Sequence, residues 1–208
     1  MLPPTLPIFP LPNVVLFPNV VLPLHIFEAR YRAMVGEALE HDRIIGMVLL
    51  RPGWESDYEG RPAVYQIGCA GLITHAERLT DGRFNIVLKG LEKFAIEDED
   101  DSLSYRLARV RSIEESVRDD DKEDMRQSRR RLESLLVPQP QGRGAEPKVP
   151  PSMPDEDLIN ALAQYLELEP VERQALLERE GLLARCRSLI ELLEMKVIVA
   201  RHKWGGQH

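Results

Sequence analysis

The sequence predicts an α+β protein: a β shell that closes like a barrel and carries one inserted helix, followed by a helical bundle. Three observations lead there. Short β-branched runs punctuated by proline open the chain. Period-two alternation with interior glycines and a tight-turn signal fills residues 64–113. From residue 117 the apolar side chains recur at helical spacing instead. The expected domains are 1–116 (β) and 117–208 (helical), the second containing a proline-rich linker at 138–154.

Leu6-Pro7-Ile8-Phe9-Pro10-Leu11-Pro12, Val14-Val15-Leu16-Phe17-Pro18 and Val20-Val21-Leu22-Pro23-Leu24 are the opening runs. Proline has no N–H to donate to a ladder, so these are expected to be short, edge-like or bulged segments that turn corners. Phe27, Tyr31, Met34 and Ala38 then recur at steps of four, three and four, predicting a helix over 27–41 with Glu28 and Arg32 as an i,i+4 pair. Ile44 to Leu50 is apolar at nearly every position and reads as a strand buried on both faces. Pro52, Gly53, Gly60 and Pro62 mark 51–63 as a loop. A strand is predicted from Val64 to Arg78, with Gly68 and Gly71 as bulges or bends. Asp81-Gly82 favours a hairpin, and in the return strand Phe84, Ile86 and Leu88 face one side while Asn85 and Lys89 face the other. Gly90 is expected to bend that strand before Leu91–Ile96. A last strand covers 104–113, its alternation slipping near Ala108 as a bulge would cause.

Asp119, Asp120 and Asp121 suit a helical first turn, and Met125, Leu132, Leu135 and Leu136 form the apolar stripe behind them. Six prolines in 138–154 make that stretch an exposed linker. Asp155 caps a helix with Leu158, Leu162 and Leu166 as its core face, and Pro170 suits the first turn of the next. From Gly181 a third helix aligns Leu182, Cys186, Leu189, Leu193, Val197 and Ala200.

A net charge of -7 and a pI near 5.4 argue against a general nucleic-acid binder, because phosphate affinity comes from clustered Lys and Arg. Cys69 and Cys186 have neither CxxC nor metal-ligand spacing and are expected to be free thiols. Residues 1–24 are apolar, but no Lys or Arg precedes them and seven prolines would break a signal helix. No apolar run approaches the roughly 20 residues that span a bilayer. A cytoplasmic protein that does not engage a membrane is expected.

The opening from Leu6 to Met34 closely resembles that of the amino-terminal domain of Lon proteases and of stand-alone bacterial proteins made of that domain. Ile67-Gly68-Cys69-Ala70-Gly71, Glu77 to Ile86, and Lys89-Gly90-Leu91-Glu92-Lys93-Phe94 are similar to its second block. Gln174-Ala175-Leu176-Leu177-Glu178 and the closing helix are similar to its helical half. The resemblance implies a PUA-like β pseudobarrel with attached helices and a role in capturing protein substrates. No GxxxxGK(S/T) phosphate loop occurs, and the family's Ser–Lys proteolytic site has no counterpart, so the chain is not a protease or ATPase by itself. It implies a non-enzymatic recognition module, an adaptor in protein quality control. Its partners are unfolded or exposed protein segments, with a protease or chaperone behind them and a homodimer as an assembly form.

No catalytic residue, metal or cofactor is expected. Cys69 and His75 lie six residues apart on one strand, about 20 Å at roughly 3.3 Å per residue, too far for a nucleophile and its base. The histidines at 25, 41, 75, 202 and 208 are scattered, and Glu97 to Asp101 lacks the spaced ligands of a calcium loop. Arg129-Arg130-Arg131 reads as a solvated helix face. Arg106, Arg109 and Arg111 on one strand give an alternative, RNA binding, its only foothold, opposed by the acids at 97–101 and 114–115. A small-molecule enzyme would need a deep pocket with converging polar groups. The features that suit protein binding are Trp54 and Tyr58 in their loop, Phe17, Leu24 and Phe27 at the proline corners, His25 at the helix junction, and nearby Arg30. The plainer alternative is that the loop folds back and both its rings close one end of the barrel.

Overall fold

A computed structural model of the chain describes residues 2–58, 60–100, 102–115, 119–136 and 153–205. Six strands form one mixed sheet: β1 (Thr5–Leu11), β2 (Val21–Ile26), β3 (Ile44–Leu49), β4 (Ile67–Arg78), β5 (Phe84–Asp100) and β6 (Arg106–Ile113). Their order is β2-β5-β4-β3-β1-β6, and β5 also pairs with β6. The pairings therefore run in a ring of five strands, with β2 hung on the outside of β5. The core within it includes Leu6, Ile8, Val48, Leu50, Phe94, Ala108 and Val110.

The proline-studded β1 is not an edge strand. Its first half, Thr5–Ile8, pairs antiparallel with β6, and its second half, Ile8–Leu11, pairs parallel with β3. Only Ile8 has partners in both ladders. Pro7 faces β6 alone and Pro10 faces β3 alone, so each keeps one side where no N–H is required. In β2 the expectation of an edge holds, and Pro23 sits within it.

The β4–β5 hairpin turns at Asp81-Gly82 as the residues predict, with Gly82 at φ 82° and its N–H on the Leu79 carbonyl. The β4–β5 register shifts twice, between Cys69 and Gly71, where the extra residue is on β5, and between Ile73 and His75, where it is on β4. β5 runs on through Gly90 as one 17-residue strand, and just beyond Gly90 two of its residues, 91 and 92, stand against Ala70 alone. Gly90 lies opposite Gly71 across the ladder. A Cβ on Gly90 would stand 2.0 Å from the Phe17 carbonyl oxygen, and one on Gly71 would stand 2.9 Å from Leu16 Cδ2. The Leu16–Phe17 corner thus lies over a bare patch made by two glycines. Asn19 N–H donates to the Gly90 carbonyl and Gly90 N–H to that of Val20, fixing the corner. The bulge expected near Ala108 is on the other strand. The register slips at Glu97 of β5, while Arg106, Ala108 and Val110 of β6 alternate inward without interruption.

Helix α1 (Ala29–Glu40) buries Tyr31, Met34, Val35 and Ala38. Phe27 precedes it rather than joining its apolar face. Glu28 is the N-cap residue and pairs with Arg30 at 3.1 Å, not with Arg32. A short 3-10 turn spans Trp54–Asp57, and another, Asp119–Asp121, precedes α2 (Lys122–Leu136). The remaining helices are α3 (Asp155–Tyr165), α4 (Pro170–Leu177) and α5 (Leu182–Gly205). Pro170 opens α4 behind a Glu169/Glu172 capping box. Gly181, at φ 84°, precedes α5, whose Leu182, Cys186 and Leu189 are buried. Residues 138–152 of the expected linker lie outside the described residues. In α3 the buried face is Leu158, Ile159, Asn160, Ala163 and Gln164, and Leu162 and Leu166 are half-buried. Asn160 on this face donates to the Pro18 carbonyl at 3.2 Å.

The chain divides into two compact units, Met1–Glu114 with Asn160–Glu178, and Glu115–Ile159 with Arg179–His208. Residues 160–178 thus group with the sheet, and 115–159 with 179–208. In the second unit α2 packs on α5, tied by Arg131–Glu194 at 2.6 Å and by Arg187–Asp124. Arg185, fully buried, reaches both oxygens of Glu115 at 2.8 and 2.7 Å. Glu156 has its carboxyl raised above the usual range, by burial first and then by Glu115. A carboxyl raised by folding favours the protonated state, so its unfavourable contribution appears as pH climbs through its folded value. Glu156→Gln is accordingly expected to raise the thermal midpoint at pH 7 and to leave it unchanged near pH 3, compared by calorimetry. Among the described residues, no helix is long and apolar enough to cross a membrane.

Candidate functional site

The seven residues expected on a binding face separate into three groups. Phe17 is fully buried in the core and presents no side chain to a partner. Its neighbours are apolar and its carbonyl is pressed on Gly90, so the corner turns its ring inward. Leu24, half-buried, and His25, exposed, lie on β2. His25 Nδ1 is 2.8 Å from Asn85 Oδ1 and its ring stacks on Phe27 with centroids 6.3 Å apart. Phe27 is 61 % exposed, and Val21 (47 %) and Tyr165 (66 %) stand out on the same unit. The Tyr165 hydroxyl donates to the Val21 carbonyl at 2.8 Å, which marks Val21 as facing away from β5. Pro23, two residues on, shares that phase, so its missing N–H falls on the outer edge.

Arg30, Trp54 and Tyr58 form a third group. Both rings are half-buried and packed against the core, with centroids 5.4 Å apart and edges tilted toward faces. The loop folds back, because the Tyr58 hydroxyl donates to Glu28 Oε1 at 2.6 Å and the Arg30 guanidinium covers the Tyr58 ring at 5.4 Å.

Beside this group opens a cleft of about 240 Å³. Its walls come from five places: Pro10 of β1, Arg30-Tyr31 of α1, Leu50 after β3, Tyr58 with Gly60-Arg61-Pro62, and Leu103 to Arg106. Three guanidiniums and three phenols converge there. Arg30 donates to the Tyr58 carbonyl at 3.1 Å, Arg61 to the carbonyls of Asp100 and Leu103 at 3.3 and 3.1 Å, and Arg106 to that of Pro62 at 2.5 Å. The Tyr105 hydroxyl donates to Glu37 at 2.7 Å. Burial pushes the Tyr31 phenol up to about 12, and burial with the Glu37 bond does the same for Tyr105. Arg106 is pulled below its ordinary value by burial. Phenols shifted upward stay protonated near neutral pH and arginine stays charged.

The arginine strand does not form a basic face. Arg106 points inward at 7 % exposure and pairs with Glu99 at 3.5 Å, whereas Arg109 and Arg111 point outward and meet Glu97 at 3.6 and 3.7 Å. Cys69 is buried and His75 exposed on the same strand. Among the described residues no three His, Cys, Asp or Glu side chains gather as metal ligands. The cleft itself escaped the sequence reading, though its signal was present: Arg30-Tyr31 and Tyr105-Arg106 are adjacent Arg/Tyr pairs on separate elements.

Residues 5–195 match the family model described as the ATP-dependent protease La (LON) substrate-binding domain. The chain is 28% identical over 201 residues to Lon protease 2 of Myxococcus xanthus, covering 94% of itself and 24% of that protein. It is 31% identical over 185 residues to Lon protease 2 of Syntrophobacter fumaroxidans, covering 85% of itself and 22% of that protein. It thus spans about a quarter of the length of the curated relatives it matches. Among solved structures, a Lon N-terminal domain protein from Xanthomonas campestris aligns with a TM-score of 0.60 at 22% identity, over 90% of this chain and 97% of that one. The N-terminal domain of the Mycobacterium avium complex Lon protease aligns at 0.65 and 18% identity, over 91% and 98%.

Proposed function

Since the chain belongs to the family of the Lon substrate-binding domain, we propose that it is a non-enzymatic module that captures exposed segments of other proteins. The observation that carries this reading is the exposure of large apolar side chains at both ends of β2 and beside it. Phe27, Val21 and Tyr165 leave aromatic and aliphatic area in water where a monomer usually hides it. Leu24 and His25 extend the surface, and Arg30, Trp54 and Tyr58 offer a second, half-buried aromatic–arginine contact of the kind enriched at hot spots. The closed cycle of strand pairings supports reading the β unit as a PUA-like pseudobarrel. The packing of α2 on α5 supports a helical bundle in the second unit.

In this reading the module is cytoplasmic, works as an adaptor in protein quality control, and hands bound segments to a protease or chaperone. Binding rests on shape and apolar contact and needs no cofactor. Phe27→Ser is expected to weaken titrated binding of a reduced, carboxymethylated protein about tenfold. Its thermal midpoint should stay at the wild-type value, since the ring is 61 % exposed. Failure of the wild-type chain to bind any unfolded protein saturably, or equal affinity in the variant, would remove the reading.

A further inference from the structure

A segment of another protein can be held by side chains, or by adding a strand to the open edge of β2. The main-chain groups that β2 turns away from β5 belong to Val21, Pro23 and His25. The Val21 carbonyl already accepts from the Tyr165 hydroxyl at 2.8 Å, and Pro23 has no N–H. That leaves no run of donors and acceptors on which a further strand could build a ladder. The outward face of the sheet is different. Residues directly opposite in a ladder share a face, so the register sets Val21, Lys89 and Leu72 in one row and Pro23, Val87 and His75 in the next. Val21, Pro23, Lys89 and His75 are exposed, and Leu72 and Val87 are half-buried. Among the described residues Lys89 has no hydrogen bond or ion pair, in a chain whose net charge is -7. The carboxylate of Glu77 lies two rows away and accepts from Asn85 at 3.0 Å.

Resting on the capture reading, we propose that the segment this module takes is an apolar one with an acidic residue inside it. The carboxylate meets Lys89, and its apolar neighbours lie across Val21, Val87 and Leu72. Two features select this class. An unpaired ammonium amid aliphatic area attracts a carboxylate and repels Lys and Arg, so it chooses among segments that the apolar area alone would hold alike. With the edge of β2 blunted by Pro23 and Tyr165, the contact is made by side chains, and the N–H groups of the segment are not required.

The test is fluorescence titration of the whole chain with three labelled peptides that differ only in a central glutamate, glutamine or lysine set between leucines. A reduced, carboxymethylated protein is titrated beside them. The glutamate peptide is expected to bind about threefold more tightly than the glutamine one and about tenfold more tightly than the lysine one. That spread should narrow as salt is raised. Lys89→Glu is expected to reverse the order, Lys89→Gln to make the glutamate and glutamine peptides equal, and Phe27→Ser to weaken all three alike. Lys89 is exposed, so the thermal midpoints of its variants should match that of the wild type. Methylating alternate main-chain nitrogens of the glutamate peptide should leave its affinity unchanged. Equal affinity for the three peptides, binding of the unfolded protein without any of them, or loss of binding on N-methylation would overturn the proposal and leave capture standing. A dimer that sediments as monomers in Lys89→Glu would give this face to a second copy and overturn it too. If neither the peptides nor the unfolded protein saturates, the capture reading falls and this proposal falls with it.

Discussion

Replacing Gly90 with alanine is expected to destabilise the β unit by about 3 kcal/mol or more, an effect large enough to leave the purified protein partly unfolded. The added methyl would sit 2.0 Å from the Phe17 carbonyl oxygen and 3.2 Å from Pro18 Cα, both main-chain atoms that no rotamer change can clear. Relief requires the corner to lift. That breaks the Asn19–Gly90 and Gly90–Val20 bonds and draws the fully buried Phe17 ring out of the core. Gly36→Ala in α1 is the control. Nothing lies within 4 Å of its would-be Cβ, so it should stabilise the helix by roughly 0.5–1 kcal/mol. Urea denaturation of both variants decides the matter, and a Gly90→Ala protein within about 0.5 kcal/mol of wild type would show that the corner is not pinned there.

Arg185→Met should cost about 3–5 kcal/mol, because it strands the Glu115 carboxylate without the cation it was buried with. Arg185 has 0% of its side chain in water and Glu115 9%, and the arginine sits on the same helix as the buried Leu182, Cys186 and Leu189. The cost lies in separating the charges rather than in the worth of the pair. Arg185→Met with Glu115→Leu should therefore recover most of what the single change loses. A coupling energy below about 1 kcal/mol in this double-mutant cycle would mean that water reaches Glu115 once the arginine is gone.

Local signals carried most of the elements. Alternation at Phe84, Ile86 and Leu88, the Asp81-Gly82 turn and the Pro170 helix start all act over a few residues, and the structure has them where the residues point. Ladder partners were not legible in that way. That Pro7 and Pro10 fit inside the ring depends on β1 changing partner at Ile8, which is decided by strands 38 and about 100 positions away. Arg106 and Arg109 were grouped by type, but three residues along a strand is odd parity and puts them on opposite faces. Phe17 was read as a surface residue because prolines and β2 surround it in sequence; the bare Gly71–Gly90 patch that takes its backbone becomes visible only in the β4–β5 register. The cleft was hidden for a similar reason, since its arginines are contributed by α1, a loop and β6.

The partner change in β1 has a consequence for the order in which the polypeptide can be completed as it leaves the ribosome. β1 must wait for Arg106–Ile113 before one half of its ladder exists, and the proline corner must wait longer still, for Asn160 to reach Pro18 and Tyr165 to reach Val21. Until then this apolar stretch lacks the β6 side of its ladder and the bonds from Asn160 and Tyr165. Such late, long-range closure is slow and leaves nascent chains prone to association. On the proposed function, the protein is during its own synthesis an unfinished chain of the kind it would grip.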